Sequence, residues 1–188
     1  MTSAVKEAVD QKQYLTFFLS GEEYAIGILR VKEIIGYDIV TTVPKTPNWV
    51  RGVINLRGSV VPVVDLAVRF GLGERQVTKT SCIIIIEGQS ENRNTMMGVM
   101  VDAVSQVMDI AAGDIQAVPA FGTRIRVDYL QGMAQQGKKF ALLLDIDKVL
   151  SGDEAMGLQE LALSSEDSKD GSASEPTLIQ SRASAAKG

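Results

Sequence analysis

With 188 residues, 45% of them hydrophobic and 22% charged, the chain has the composition of an ordinary soluble globular protein, with room for one domain or two small ones. A net charge of -4 and a pI near 5.0 argue against the clustered positive charge that binding to a phosphate backbone requires. The sequence has no histidine, which removes the commonest general base, the usual zinc ligand and every histidine-dependent triad. Its single cysteine, Cys82, excludes an intrachain disulfide. An enzyme built from this chain would have to work with carboxylates, lysine or serine alone. No apolar run approaches the roughly 20 residues of a membrane-spanning helix, and the first residues are too polar for a signal peptide, so a cytoplasmic protein is expected.

Residues 1–12 read as a flexible lead. A strand is expected over 14–19, a turn at 20–23 and a partner strand over 24–28. The stretch 29–35 mixes Val31, Ile34 and Ile35 with Arg30, Lys32 and Glu33, and Pro44 and Pro47 bracket a loop that enters a helical turn at 48–50, capped by Asn48. Then comes RGVINLRGSVVPVVDL, residues 51–66. Two β-branched runs joined through a glycine-containing turn predict a hairpin, with Arg57 and Gly58 at its tip and Arg51 at its base, both guanidiniums near solvent. Pro62 has no N–H to donate, which predicts an edge strand or a bulge. A short helix over 66–70 and a glycine turn over 71–73 close the first half.

The second half opens with a buried-looking strand over 81–87 that holds Cys82, followed by a polar turn over 88–94 and a strand over 95–101. Residues 102–110 repeat the apolar spacing of the first half, and 113–129 read mostly as loop, with Phe121 as its most exposed-looking apolar residue. A last hairpin is expected over 130–144, a helix over 146–163 and a disordered tail over 164–188.

The halves resemble each other. Ile26, Ile28, Val31 and Ile34 fall on Val99, Val101, Val104 and Val107 at one constant spacing. Gly52, Val53, Asp65 and Leu66 fall on Gly132, Met133, Asp145 and Ile146 at a slightly larger one. Each half then holds about five short strands in the same order, and short antiparallel strands hide their edges by closing into a small barrel. Two such barrels are expected, over 13–75 and 76–145, packed together. Other signals are weaker. Asp145 and Asp147 form a D-x-D, but the repeat pairs Asp145 with Asp65 and makes a helix cap the better explanation than a metal site. Gly71-Leu72-Gly73 lacks the third glycine and the strand-to-helix context of a dinucleotide site.

The segments EEYAIGILRVKEII, RGVINLRGSVVPVVDL, GVMVDAVSQVMDI and YLQGMA, in that order and spacing, resemble the CheW-like coupling family of bacterial chemotaxis over residues 13–150. The resemblance implies a mainly β fold of two SH3-like five-stranded β-barrel subdomains with short helices and a C-terminal helix, the family domain spanning 13–163. It implies a non-catalytic scaffold, without cofactors, that couples methyl-accepting chemoreceptors to the regulatory domain of the histidine kinase CheA at membrane-associated receptor arrays. No kinase segment precedes the module and no receiver domain follows it, so the stand-alone coupling protein is the expected form, in the flagellar pathway or in a non-flagellar chemosensory one. By position, Val31, Glu33, Arg57 and Gly98 match receptor-binding residues, and Arg51, Gly52 and Phe121 match kinase-binding ones. Glu33 and Arg57 are expected close enough to pair, within about 4 Å. Val31 could equally fill the core, and Gly52 and Gly98 could serve backbone geometry alone.

Overall fold

The computed structural model describes residues 11–38, 40–90, 93–119 and 123–151. The first strand, β1 (Gln11–Leu19), turns into β2 (Glu22–Gly27), and a 3-10 turn (Ile28–Arg30) leads to β3 (Val31–Gly36). The hairpin of β4 (Val50–Leu56) and β5 (Ser59–Asp65) ends in a short helix (Leu66–Arg69). β6 (Cys82–Ser90) and β7 (Arg93–Val101) form a second hairpin, and β8 (Ala103–Ala111) follows. After the two-residue strand β9 (Ile115–Gln116) come β10 (Leu130–Gln136), β11 (Lys139–Leu144) and a helix (Ile146–Leu150).

These strands build a six-stranded sheet, ordered β8-β1-β2-β11-β10-β9, and a five-stranded sheet, ordered β3-β6-β7-β5-β4. The expected division into one barrel over 13–75 and another over 76–145 is therefore not how the strands pair. The β1–β2 hairpin joins strands of the second half, through β8 on one side and a parallel contact of β2 with β11 on the other. The β6–β7 hairpin joins β3 and, again in parallel, β5 of the first half. The two sheets have the same plan with the halves exchanged. The repeat seen in the sequence survives in detail: register breaks fall between Val50 and Gly52 in β4 and between Leu130 and Gly132 in β10. Asp65 and Asp145 each cap the helix that follows, accepting from the N–H of Val68 at 3.1 Å and of Lys148 at 3.3 Å.

The exchange explains why β6 is apolar on both faces. Ile84 and Ile86 enter the core shared by the sheets, with Phe17, Tyr24, Ile26 and Val99, whereas Ile83 and Ile85 fill a separate core inside the second sheet with Val61 and Val63. All four isoleucines are at most 1% exposed, each contributing about 1.5–3 kcal/mol of apolar burial. The first sheet encloses its own small core around Tyr14, Ile110 and Leu143.

Several local expectations need correcting. Gln11 and Lys12 belong to β1, because β8 is long enough to pair with them through Ala111 and Ile110. Residues 48–49 form a single turn closed by Val50 N–H donating to the Pro47 carbonyl at 3.0 Å, and the chain enters β4 there instead of a helical turn. β5 is flanked by β7 and β4, not an edge. Pro62 is tolerated because the parallel ladder to β7 begins only at Val63, so a missing donor costs no bond on that side. Segment 113–129, read as loop, contains β9, which is too short for any periodicity to show. The helix expected over 146–163 ends at Leu150, where Ser151 turns to an extended backbone (φ -78, ψ 145), and residues 152–188 lie outside the described residues.

Candidate functional site

Every expected site residue that the structure describes lies on the second sheet. Val31 and Glu33 are on β3, Arg51 and Gly52 on β4, Arg57 at the β4–β5 tip and Gly98 on β7. Three of these fall on one row across the sheet: Glu33 pairs with Ile85, Ile85 with Gly98, Gly98 with Val63, and Val63 with Gly52. Phe121 lies outside the described residues.

Two glycines on this row let the sheet coil tightly. Gly52 has φ +142, and a Cβ there would stand 2.1 Å from the carbonyl oxygen of Thr41, which bridges to Val53. Gly98 is buried, and a Cβ on it would stand 2.7 Å from Ile83 Cγ2 and 3.3 Å from Val63 Cγ2. Glycine at such a point marks a bend or a close approach of backbone. The coiling brings the two ends of the sheet together at the surface. Arg57 Nη2 donates to Glu33 Oε2 at 3.0 Å, joining β3 to the β4–β5 tip although no backbone ladder links β3 and β4 among the described residues. The hypothesised ion pair is thus present, and it stands where a closed barrel would have its seam. Gly98→Ala is expected to cost about 1–3 kcal/mol of stability by overpacking, read as a lower urea midpoint at unchanged slope, so any loss of partner binding in that variant is indirect.

The tip that carries Arg57 is fixed locally. Arg57 and Gly58 both have positive φ, at 53 and 94, as the tight two-residue turn between Leu56 and Ser59 demands, and Asn55 Oδ1 accepts from Gly58 N–H at 2.8 Å. Arg57 is 80% exposed while Glu33 is 26% exposed, so the guanidinium is presented outward from a half-buried carboxylate. Val31 is half-buried and packs against the shared core.

Arg51 differs from expectation. Its guanidinium is half-buried, 27% exposed, and lies against the buried Asp65, with Nε donating to Oδ2 at 2.8 Å and Nη2 at 2.7 Å from the same oxygen. Asp65 is 2% exposed and uses its other oxygen as the helix cap. One carboxylate thus ties the base of the hairpin to the helix Leu66–Arg69. The sequence repeat matched Asp65 to the expected cap Asp145, and the expected hairpin put Arg51 and Asp65 at the same base without naming them as a pair. Nearby, Arg69 stacks over the Trp49 ring at 4.1 Å and donates from Nε to the Val149 carbonyl at 3.1 Å, linking the two helix ends.

Two surface grooves lie on the side of the first sheet. The larger, about 610 Å³, lies beside the 3-10 turn and is lined by Tyr14, Ile28, Leu29, Leu144, Ile146 and Asp147 among others. The second, about 430 Å³, lies on the first sheet between Pro119 and Thr123, the described neighbours of the Phe121 segment, with Phe140 on its wall at 44% exposure. Burial pushes the Cys82 thiol up, which keeps it protonated, and burial aided by a hydrogen bond to Glu22 pushes the Tyr24 phenol up likewise. Among the described residues no group of three His, Cys, Asp or Glu side chains is placed to hold a metal ion, and no helix is long and apolar enough to cross a membrane. The geometry offers shaped surface and fixed charge.

Residues 13–154 match the family model of the CheW-like domain. The chain belongs to the CheW-like family. The chemotaxis protein CheW of Klebsiella aerogenes is 38% identical over 159 residues, covering 84% of this chain and 92% of that protein. The CheW of Treponema pallidum is 32% identical over 157 residues, covering 81% and 88%. Among solved structures, the crystal structure of the scaffolding protein TtCheW from Thermoanaerobacter tengcongensis superposes with a TM-score of 0.69 at 33% identity, covering 77% of this chain and 90% of that one. The CheW fold accounts for the two mixed sheets and their few short helices.

Proposed function

We infer that this protein is a chemotaxis coupling scaffold that acts by binding two partners at once, with no chemistry of its own. On this reading, the Glu33–Arg57 clasp with Val31 beside it contributes to the surface for the cytoplasmic tip of a methyl-accepting receptor, whose helical hairpin runs from there to the groove beside the 3-10 turn. Arg51 and Phe121 contribute to binding the regulatory domains of the kinase CheA, and the buried Gly52 acts through the close approach of Thr41 that it permits. Gly98 acts from the core, through the curvature it permits. Weak individual contacts suffice when they are linked in a membrane-associated array, because linkage raises effective concentration.

The observation that carries this reading is the row Glu33-Ile85-Gly98-Val63-Gly52, which places residues assigned to both partners on one sheet and makes their surfaces depend on one curvature. A pull-down with a purified kinase regulatory domain and a receptor-tip fragment tests it. Arg57→Ala is expected to change stability by less than about 1 kcal/mol, since the pair is largely exposed, while reducing capture of the receptor fragment and sparing the kinase domain. Failure of the folded wild-type protein to capture either partner at tens of micromolar would contradict the assignment.

A further inference from the structure

The exchanged repeat gives the molecule two equivalent crossing points, where the chain passes from one sheet to the other. One is the 3-10 turn Ile28–Arg30 between β2 and β3, and the other is Asp102 between β7 and β8. Because Ile28 and Val31 match Val101 and Val104, Leu29 matches Asp102 and Arg30 matches Ala103. Because Asp65 matches Asp145, Asp147 matches Ala67.

The two crossings have been finished in opposite ways. At the second, Asp102 is consumed within the fold: its Oδ2 accepts from Ser20 N–H at 2.8 Å and lies 3.7 Å from Arg75 Nη1, and its own N–H donates to the Phe18 carbonyl at 3.0 Å. At the first, the matching residue is a leucine that is 92% exposed, the most exposed large apolar side chain among the described residues, on the rim of the 610 Å³ groove. Here too a charge pair appears that the second crossing cannot form, because its matches are alanines: Arg30 pairs with Asp147 on the helix Ile146–Leu150 and also donates to the Glu87 carbonyl at 3.4 Å. Arg30 is thereby held from two sides, from the helix following the first sheet and from β6 of the second. The turn before it is fixed at the junction, and Leu29 is left in water.

An exposed leucine on a fixed turn is placed to be covered by something outside the chain, since apolar surface gains only when water is removed from it. Leu29 is two residues from Val31 and four from Glu33 along the same segment, so it continues the surface already assigned to the receptor toward the groove. We propose that Leu29 is the apolar anchor for the receptor's helical hairpin, and that Arg30 and Asp147 are positioning residues that present it. This rests on the receptor reading above and adds the contact that seats the hairpin: an apolar position on the receptor helix covers Leu29, and the ion pair sets where that position must fall.

The experiment is fluorescence anisotropy with a labelled receptor-tip hairpin fragment titrated with the full-length protein. Leu29→Asp, which installs the residue of the matching crossing, should weaken binding at least about ten-fold, whereas Leu29→Met should stay within about two-fold. Arg30→Asp and Asp147→Arg should each weaken binding about three- to five-fold, and the two together should restore it. All four should leave the melting temperature and kinase-domain binding close to wild type, since these side chains are partly or fully exposed. Wild-type binding unchanged by Leu29→Asp would overturn the anchor and leave the receptor reading standing. Single charge reversals that the double reversal does not repair would overturn the positioning role. No binding of the fragment by the folded wild-type protein would overturn the receptor reading itself, and the anchor with it.

Discussion

Gly52→Ala is expected to lower stability by about 3 kcal/mol or more, the largest effect of any single methyl group on the second sheet. A Cβ at this position would stand 2.1 Å from a backbone oxygen of Thr41 and 2.7 Å from its carbonyl carbon, closer than a non-bonded carbon can approach either atom, and the backbone φ of +142 is itself strained for any residue with a side chain. Relief cannot come from a rotamer change, because the obstacle is main chain. The segment carrying Thr41 must move away from β4, which breaks the reciprocal bonds of Thr41 with Val53, at 2.9 and 2.8 Å. Since Gly52 ends the row that starts at Glu33, the variant should also open the Glu33–Arg57 clasp. Urea denaturation followed by circular dichroism reads the stability loss, and loss of both partners in a pull-down reads the change of curvature. A variant as stable as wild type would mean that the close approach at Thr41 does not constrain the sheet.

Asp65→Ala should be the next most damaging change, at about 2–4 kcal/mol. The substitution removes a helix cap, worth about 1 kcal/mol, and strands a half-buried guanidinium whose carboxylate partner is 2% exposed. Truncating one member of such a pair costs more than removing both, because the remaining charge has lost its compensation. The double variant Arg51→Ala/Asp65→Ala should therefore be no less stable than Asp65→Ala alone, a non-additivity that a thermal or urea double-mutant cycle measures directly. Asp145→Ala, at the matching cap on the first sheet, should cost only about 1 kcal/mol. Its partner Lys148 is 61% exposed and can return to water. Equal losses at the two caps would show that the Arg51 pairing contributes nothing.

This contrast shows what a sequence discloses and what it withholds. Hairpins are written locally, in alternating apolar residues and in the turn chemistry of Asn55 to Gly58, and they were legible, as were Asp145 as a cap and the burial of Cys82. The Glu33–Arg57 contact was also within reach, once the motifs placed both on one surface. The exchange of hairpins between sheets was not legible. Whether β1–β2 pairs with β8 and β11 or with β3 and β5 depends on long-range burial, to which both choices offer the same apolar pattern. The repeat itself hid the answer, because the two halves are similar enough to stand in for one another. The Arg30–Asp147 pair was unnoticed for the same reason, since the two lie in opposite halves, whereas Arg51 was misjudged although Asp65 closes the same hairpin.

The proposed partner surfaces rest on the coiled second sheet, and the claim beneath them is that one copy of this protein holds receptor and kinase simultaneously. Sedimentation velocity on an equimolar mixture of the full-length protein, a receptor-tip hairpin fragment and a kinase regulatory domain tests this most directly. A single faster boundary containing all three components, reduced by Arg57→Ala to the protein–kinase pair, is the predicted result. Displacement of one partner by the other, or migration of the folded protein alone, would contradict it.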